Sequence, residues 1–299
     1  MGAQLRQIRA RIRSVRSTAK ITRAQELIAS SRVAKARDRA KAAEPYTREL
    51  VLAVMALVGH GMRIDHPLLD QRPDASRVAV LAMTSDRGFC GGYNHNVIRR
   101  GQALVELLRS QGKEPVFYVV GRKGSDWFRF RSRPTVREWT GSSGAPTYET
   151  AAEIGQTLID AFDTKTSEGG VGEVHVIFTE FETMLTQRTL VRRILPLEIE
   201  EREAPAGEGA PRSPYEFEPS AADVLDALLR KYVRGRIWRM MLTSAASEHA
   251  ARRTAMTAAT ENAQELISML TRQANEARQA EITTELTEIV GGAEALGHR

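Results

Sequence analysis

Residues 5–44 read LRQIRARIRSVRSTAKITRAQELIASSRVAKARDRAKAAE, and a subset of them at alternating steps of three and four sets the fold. The series is Leu5, Ile8, Ile12, Val15, Ala19, Thr22, Glu26, Ala29, Val33, Ala36, Ala40 and Ala43. This is a heptad seam, apolar except at Thr22 and Glu26, so it predicts one long helix with a partner along one stripe. Between Ala3 and Glu44 there is no Gly or Pro. Pro45 lacks a backbone N–H and is expected to kink or pause the helix. Tyr46 to Leu57 can resume it, and Gly59 and Gly61 end it.

The other end of the chain mirrors this pattern. Ser220 is a plausible N-cap, with Asp223 three residues on, where the helix dipole favours its charge. From Ala221 to Ile289 there is no Pro, and Gly235 is the only Gly. The seam there reads Leu242, Ala245, His249, Arg252, Met256, Ala259, Ala263, Leu266, Leu270, Gln273, Ala277 and Ala280. At 1.5 Å per residue this helix is on the order of 100 Å long, too long for its own chain to cover. Two heptad helices at opposite ends of one chain pair most simply as an antiparallel coiled coil. Their many seam alanines allow a close approach and a slim rod.

Charge divides the two ends. Residues 1–41 hold nine Arg and three Lys against Glu26 and Asp38, whereas Glu261 to Glu288 holds six Glu against Arg272 and Arg278. The formal net charge of +6 favours acidic partners: nucleic acid, an anionic membrane or acidic protein surfaces. At 42% hydrophobic and 27% charged residues, the 299-residue chain has the composition of a folded protein with a real core. No apolar run reaches the ~18 residues that span a bilayer. The Arg-rich, acid-poor start has the composition of a transit peptide, but the same helical pattern runs on unbroken for about forty residues, so it reads as structure. Cys90 is the only cysteine, which excludes an internal disulfide and a Cys-based zinc cluster.

The middle differs in kind. RVAVLAM at Arg77 to Met83 reads as a buried strand, Asn94 to Ser110 as a helix, and Pro115 to Gly121 as a second strand. Tyr148 to Phe162 follows as a second helix, Glu173 to Glu180 as a third strand and Arg188 to Leu197 as a fourth. Strands alternating with helices imply a mainly parallel, Rossmann-like sheet with helices on its faces. Thr164 to Gly172 reads as a flexible turn. Glu200 to Pro219, with four Pro and many charges, reads as an extended linker.

Ser85-Asp86-Arg87-Gly88-Phe89-Cys90-Gly91-Gly92-Tyr93-Asn94 follows a strand and opens a helix, a position that binds phosphates in many α/β folds. It lacks the GxGxxG spacing and the GK[ST] of a P-loop, so a tight turn using Gly for positive φ competes with nucleotide binding. The six histidines form no HxxxH or HxH pair and gather no carboxylates, which argues against a metal site. No GxSxG, SxxK or CxxC motif is present. Residues 1–45 carry no aromatic residue, so the basic helix has no base-stacking platform. Three readings remain from the residues alone: a coiled-coil structural protein, a nucleotide-binding α/β enzyme with helical extensions, and a basic coiled-coil adaptor for nucleic acid.

Ile282-Thr283-Thr284-Glu285-Leu286-Thr287-Glu288-Ile289-Val290-Gly291-Gly292-Ala293 resembles the C-terminal signature of ATP synthase γ subunits, I-T-x-E-x-x-E, three residues, then G-A. Ala19 to Ala24 with Ala29 to Ala36 is similar to that family's KITKAMEMVAASKMRKA region. Ser85 to Asn94 is similar to its SDRGLCGGLN, and Ser247 to Met256 with Ala258 to Ala263 to its SEQAARMVAMKAATDNA. The resemblance spans essentially the whole chain. Gln25 and Leu27 stand where the family has Met, and the paired cysteines of the redox-regulated plastid form are missing, so no thiol switch is expected. The wording resembles the bacterial members.

The resemblance implies a non-catalytic rotor with no cofactor and no metal, present once per complex. Residues 1–58 and 220–296 would form a coiled-coil axle inside three α and three β subunits. Residues 74–198 would form a foot meeting the ε subunit and the c-subunit ring, and 199–219 a linker. Arg278 and Gln279 would engage a loop of a β subunit, and Arg252, Thr283 and Glu285 would join rotor–stator or helix–helix contacts. Asp86, Arg87, Gly88, Gly91 and Gly92 would form a turn of the foot. No nucleic-acid partner is implied, and the chain would sit peripherally on the cytoplasmic side of the cell membrane.

Overall fold

A computed structural model describes residues 2–59, 66–72, 74–197 and 221–297. In chain order the elements are α1 (Gly2–Gly59), β1 (Arg77–Met83), α2 (Tyr93–Ser110), β2 (Glu114–Val120), α3 (Arg122–Phe130), β3 (Arg137–Trp139), α4 (Tyr148–Asp163), β4 (Glu173–Phe181), β5 (Gln187–Leu195) and α5 (Ala221–Gly297). The expected Ser220 cap, Gly61 and the 199–219 linker lie outside the described residues, as does the Asp223 side chain. The chain divides into two compact units, residues 1–29 with 253–299, and residues 30–252.

The first unit is a helix pair. Thr22 and Thr260 share a hydrogen bond of 2.7 Å between their hydroxyls. Gln4, Gln7, Ile8 and Arg11 share a cleft with Leu270, Gln273, Glu276 and Ala277. As one helix descends from Thr22 to Ile8 the other climbs from Thr260 to Leu270, so the pair is antiparallel. All twelve expected seam positions of α1 are buried or half-buried, while their neighbours from Ala3 to Tyr46, except Ser30, are exposed. On α5 the expected seam is buried or half-buried from Leu242 through Leu270 and again at Ala277, and is corrected only at Gln273 and Ala280. Thr260, Ile267, Ala274, Glu281 and Thr284 are shielded where Gln273 and Ala280 are exposed. Thr260, Ile267 and Ala274 join Ala259, Ala263, Leu266, Leu270 and Ala277 on the shielded side, so the stripe is broader than the expected seam. Thr22 and Thr260 meet on this stripe, and each hydroxyl also reaches a carbonyl of its own helix, Ala19 at 3.1 Å and Met256 at 2.8 Å.

Pro45 does not interrupt α1. The Thr47 hydroxyl donates to the carbonyls of Ala43 and Glu44 around the proline. Leu50 and Val54 are buried just beyond it. Gly235 on α5 lies against Leu50, with room for a Cβ only 3.2 Å from its methyl. Tertiary packing thus holds the helix through a residue that propensity alone would make a break.

The second unit contains a five-stranded sheet in the order β3-β2-β1-β4-β5. β1 pairs in parallel with β2 and β4, and β2 with β3. β5 runs antiparallel to β4 at the edge. Two elements were not legible, α3 and the three-residue β3, and the expected second helix is therefore the fourth in the chain. The expected flexible turn at Thr164 to Gly172 holds a short 3-10 turn, Thr166–Glu168. Side chains of β1 alternate: Ala79, Leu81 and Met83 face a core built with Ile154, Leu158 and Phe162 of α4 and Leu229, Val233 and Ile237 of α5. Val78, Val80 and Ala82 face a second core with Val97, Leu104 and Leu108 of α2 and Phe128 of α3. A central strand buried on both faces reads as a continuous apolar run, as RVAVLAM does.

Candidate functional site

Strand order reverses between β1 and β4, and the carboxyl ends of those strands bound the crevice where Rossmann-like folds bind nucleotides. In this chain α5 occupies that crevice. Ser244 Oγ accepts from the Thr179 N–H at 3.2 Å, and Thr243 Oγ1 from the Phe181 N–H at 3.0 Å. Ser247 Oγ donates to the Thr179 carbonyl at 3.0 Å. Tyr93 of α2 donates its hydroxyl to the Ser244 carbonyl at 3.4 Å. The backbone groups at the end of β4 are therefore satisfied by helix side chains.

The turn from Ser85 to Asn94 is closed on itself. Asn94 Oδ1 accepts from the Ser85 N–H at 2.9 Å, and Asn94 Nδ2 reaches Cys90 Sγ at 3.3 Å. Ser85 Oγ donates to the Arg87 carbonyl at 2.7 Å. Of the expected turn glycines only Gly91 takes positive φ, at 54°. Phe89 joins it at 58°, while Gly92 is right-handed at −79°. Asp86 accepts from the N–H groups of Arg122 at 3.0 Å and Ser143 at 2.9 Å. Burial works to raise the Asp86 pKa, but N–H donors from Gly141, Ser143 and Arg122 outweigh it and hold the carboxyl below its ordinary range.

Arg252 ties this turn to α5. Its Nη2 donates to the Arg87 carbonyl at 3.0 Å and to Glu248 Oε1 at 2.8 Å, and its Nε donates to the Gly88 carbonyl at 3.2 Å. Its Nη1 donates to His249 Nδ1 at 3.2 Å, while His249 Nε2 donates to the Gly144 carbonyl at 2.8 Å. Those two contacts fix the neutral tautomer. Arg252, Glu248 and His249 are exposed by only 6%, 2% and 2%, so the expected contact residue Arg252 is spent inside the chain. Burial pushes the Glu248 carboxyl up against the opposing pull of Arg252. Burial, with Arg252, Arg32 and Arg87 nearby, pushes His249 down to about 4.

A pH prediction follows from His249. A histidine depressed in the fold contributes fully above its ordinary 6.5 and loses that contribution as pH falls toward 4. Glu248, raised in the fold, runs the opposite way, its share being present below 4.5 and lost as pH rises. Urea titrations should show the stability difference between the native chain and His249→Gln shrinking by about 1 kcal/mol per pH unit between pH 6 and 4.5. Glu248 is common to both proteins and drops out of that difference.

Arg278, Gln279, Thr283 and Glu285 are all exposed on α5 in the helix-pair unit. Arg252 belongs to the other unit. Thr283 Oγ1 donates to the Gln279 carbonyl at 2.9 Å, which links those two positions within the helix. Exposed apolar residues accompany them: Ile282, Leu286, Ile289 and Val290. Sequence reasoning missed Glu248, Ser143 and Gly144 as members of the Arg252 network. The available signal was Glu248 four residues before Arg252 in an otherwise small-residue stretch, an ion-pair spacing on a helix. Among the described residues, no helix is long and apolar enough to cross a membrane.

One unit is a helix pair made from the two chain ends, and the other holds a Rossmann-like sheet whose ligand crevice is filled by helix; together they define an α/β protein with a coiled coil. The family profile described as ATP synthase matches residues 4–296. The chain is 56% identical over 297 residues to the ATP synthase gamma chain of Acidothermus cellulolyticus, covering 99% of this chain and 98% of that one. It is 52% identical over 304 residues to the gamma chain of Saccharopolyspora erythraea, covering 98% of each. Its fold is similar to a chain in the Euglena gracilis mitochondrial ATP synthase, OSCP/F1/c-ring in rotational state 3, with a TM-score of 0.67 and 16% identity, covering 99% of this chain and 95% of that one. The chain belongs to the ATP synthase γ-chain family.

Proposed function

We propose that the chain transmits torque without catalysing any reaction, carrying proton-driven rotation of a c-subunit ring into the catalytic β subunits. Three chemically identical β sites have equal equilibria unless something asymmetric at their centre contacts each with a different free energy. A single copy of a two-helix shaft, basic on one strand and acidic on the other, is such an object. Residues 1–58 and 220–296 serve as the shaft and 74–198 as the foot, with 199–219 between them. The partners are three α and three β subunits, the ε subunit and the c ring, and the chain lies peripherally on the cytoplasmic side of the cell membrane.

The observation that carries this reading is the antiparallel pairing through Thr22 and Thr260, with the exposed Arg278, Gln279, Thr283 and Glu285 further along α5. Those four side chains are the contacts we assign to the surrounding ring, while Arg252 holds α5 to the turn of Asp86, Arg87, Gly88, Gly91 and Gly92 through the Arg87 and Gly88 carbonyls. The filled crevice supports the absence of a nucleotide site on this chain.

Arg278→Ala combined with Gln279→Ala should lower ATP hydrolysis by the assembled complex by about fivefold or more, the lower range of a coupling free energy. Assembly, followed by co-purification of α and β subunits with the tagged chain, should be unchanged. Full turnover would remove the two residues from the contact set. A chain that recovers no α or β subunit would overturn the shaft reading itself.

A further inference from the structure

Residues 122–134 read RKGSDWFRFRSRP, a run of cations and aromatic rings that the shaft role leaves unused. Phe128 is buried in the core of the α2–α3 face. Trp127 is half-buried with its ring 5.1 Å from that of Phe128, and the guanidinium groups of Arg131 and Arg133 stand over it at 5.9 and 5.6 Å. Phe130 is 84% exposed. Beside this turn, at the amino ends of β1 and β2, lies a cavity of about 620 Å³ whose lining includes Arg77, Arg109, Lys113, Arg133 and the exposed Val136.

The acids nearby are mostly engaged. Arg77 lies 4.0 Å from Glu114, Lys113 is 2.5 Å from Glu173, and Arg129 is 3.8 Å from Glu138. Asp126 is exposed on α3. Arg109, Arg131 and Arg133 form no ion pair among the described residues. The corner thus presents Arg109 and Arg133 in the lining of a cavity large enough for a phosphate headgroup, with Arg131 over the adjoining Trp127 ring and a bare phenyl ring at Phe130.

We propose that this corner docks on the anionic headgroups of a membrane surface, with Phe130 entering the headgroup layer and Arg109 and Arg133 holding a lipid phosphate. Anionic lipid satisfies both features at once: the phosphate takes the guanidinium groups, and the acyl boundary takes the ring. Single-stranded nucleic acid is bound on a row of free aromatic faces; here the Trp127 face is covered by two guanidinium groups, which leaves Phe130 as a single ring and no row. Headgroups diffuse in the plane of the bilayer, so this contact sets a height above the membrane and leaves rotation free.

Flotation of the full chain with vesicles tests this at physiological salt. The chain should float with mixed phosphatidylcholine–phosphatidylglycerol vesicles and not with phosphatidylcholine alone. Phe130→Ser, and separately the triple variant Arg109→Gln, Arg131→Gln, Arg133→Gln, should each weaken binding by about tenfold or more. A charge-matched triple on the exposed face of α1, Arg9→Gln, Arg13→Gln, Arg16→Gln, should weaken it by less than about threefold. Equal losses from the two triples, or undiminished binding by the corner triple, would overturn the proposal. So would tighter binding of a short single-stranded RNA than of the mixed vesicles. Because the chain is tested alone, failure here leaves the co-purification test of the shaft reading unaffected.

Discussion

Arg252→Ala destabilises the chain by about 3–5 kcal/mol, the range for removing one partner of a buried ion pair. The guanidinium is 6% exposed and serves two backbone carbonyls, a carboxylate and an imidazole. Alanine removes the Arg252 donor from the Gly88 carbonyl, while the Arg87 carbonyl keeps Ser85 Oγ, and it leaves Glu248, 2% exposed, without its counter-charge. Glu248 then takes up a proton at a higher pH than before, since burial already pushes its carboxyl up. Replacing both Glu248 and Arg252 with methionine should recover most of the loss, because a well-packed apolar pair avoids the desolvation penalty. Denaturant midpoints of the two variants settle this; equal destabilisation would mean that the carbonyl contacts, and not the ion pair, dominate.

Gly121→Ala is expected to cost a similar amount, about 3–5 kcal/mol, for a different reason. Gly121 sits between β2 and α3 at φ 94°, and a Cβ there would lie 2.3 Å from the Thr84 carbonyl oxygen and 2.8 Å from Thr84 Oγ1. Thr84 cannot yield. Its hydroxyl donates to the Val120 carbonyl at 2.7 Å and accepts from the Gly124 N–H at 2.9 Å. The Gly121 N–H is itself held by the Trp139 carbonyl at 2.8 Å. The ends of β1, β2 and β3 are thus joined at one point. Gly112→Ala is the matched comparison: φ is 74° but nothing lies within 4 Å of the added carbon, so only backbone strain of about 1–2 kcal/mol remains. Thermal unfolding of the two variants should separate them clearly.

The legible parts of this fold are those whose burial repeats along the chain. Twelve seam positions on α1 could be read directly because a helix with one partner buries one stripe. RVAVLAM was readable because a central strand is apolar on both faces. α3 was not, because its nine residues hold Arg122, Lys123 and Arg129 beside Trp127 and Phe128, a pattern too short for periodicity. β3 is three residues long and exists only because β2 offers it a pairing edge. The turn at Ser85 to Asn94 was located from sequence, but its connection to α5 was not, since Arg252 is 164 residues from Gly88.

Composition and period alone therefore determined that the chain has two helical ends with complementary seams and an α/β middle, because those signals are local sums over neighbouring residues. The tertiary structure decided three things the sequence left open. It broadened the α5 seam, shielding Thr260, Ile267 and Ala274 beside the expected positions and leaving Gln273 and Ala280 exposed. It carried α1 through Pro45 by packing. It placed α5 in the crevice where a nucleotide would bind and turned Arg252 from a surface candidate into a buried tie. Each of these depends on which distant side chain is within 3–4 Å, and that proximity arises only after the chain has closed on itself.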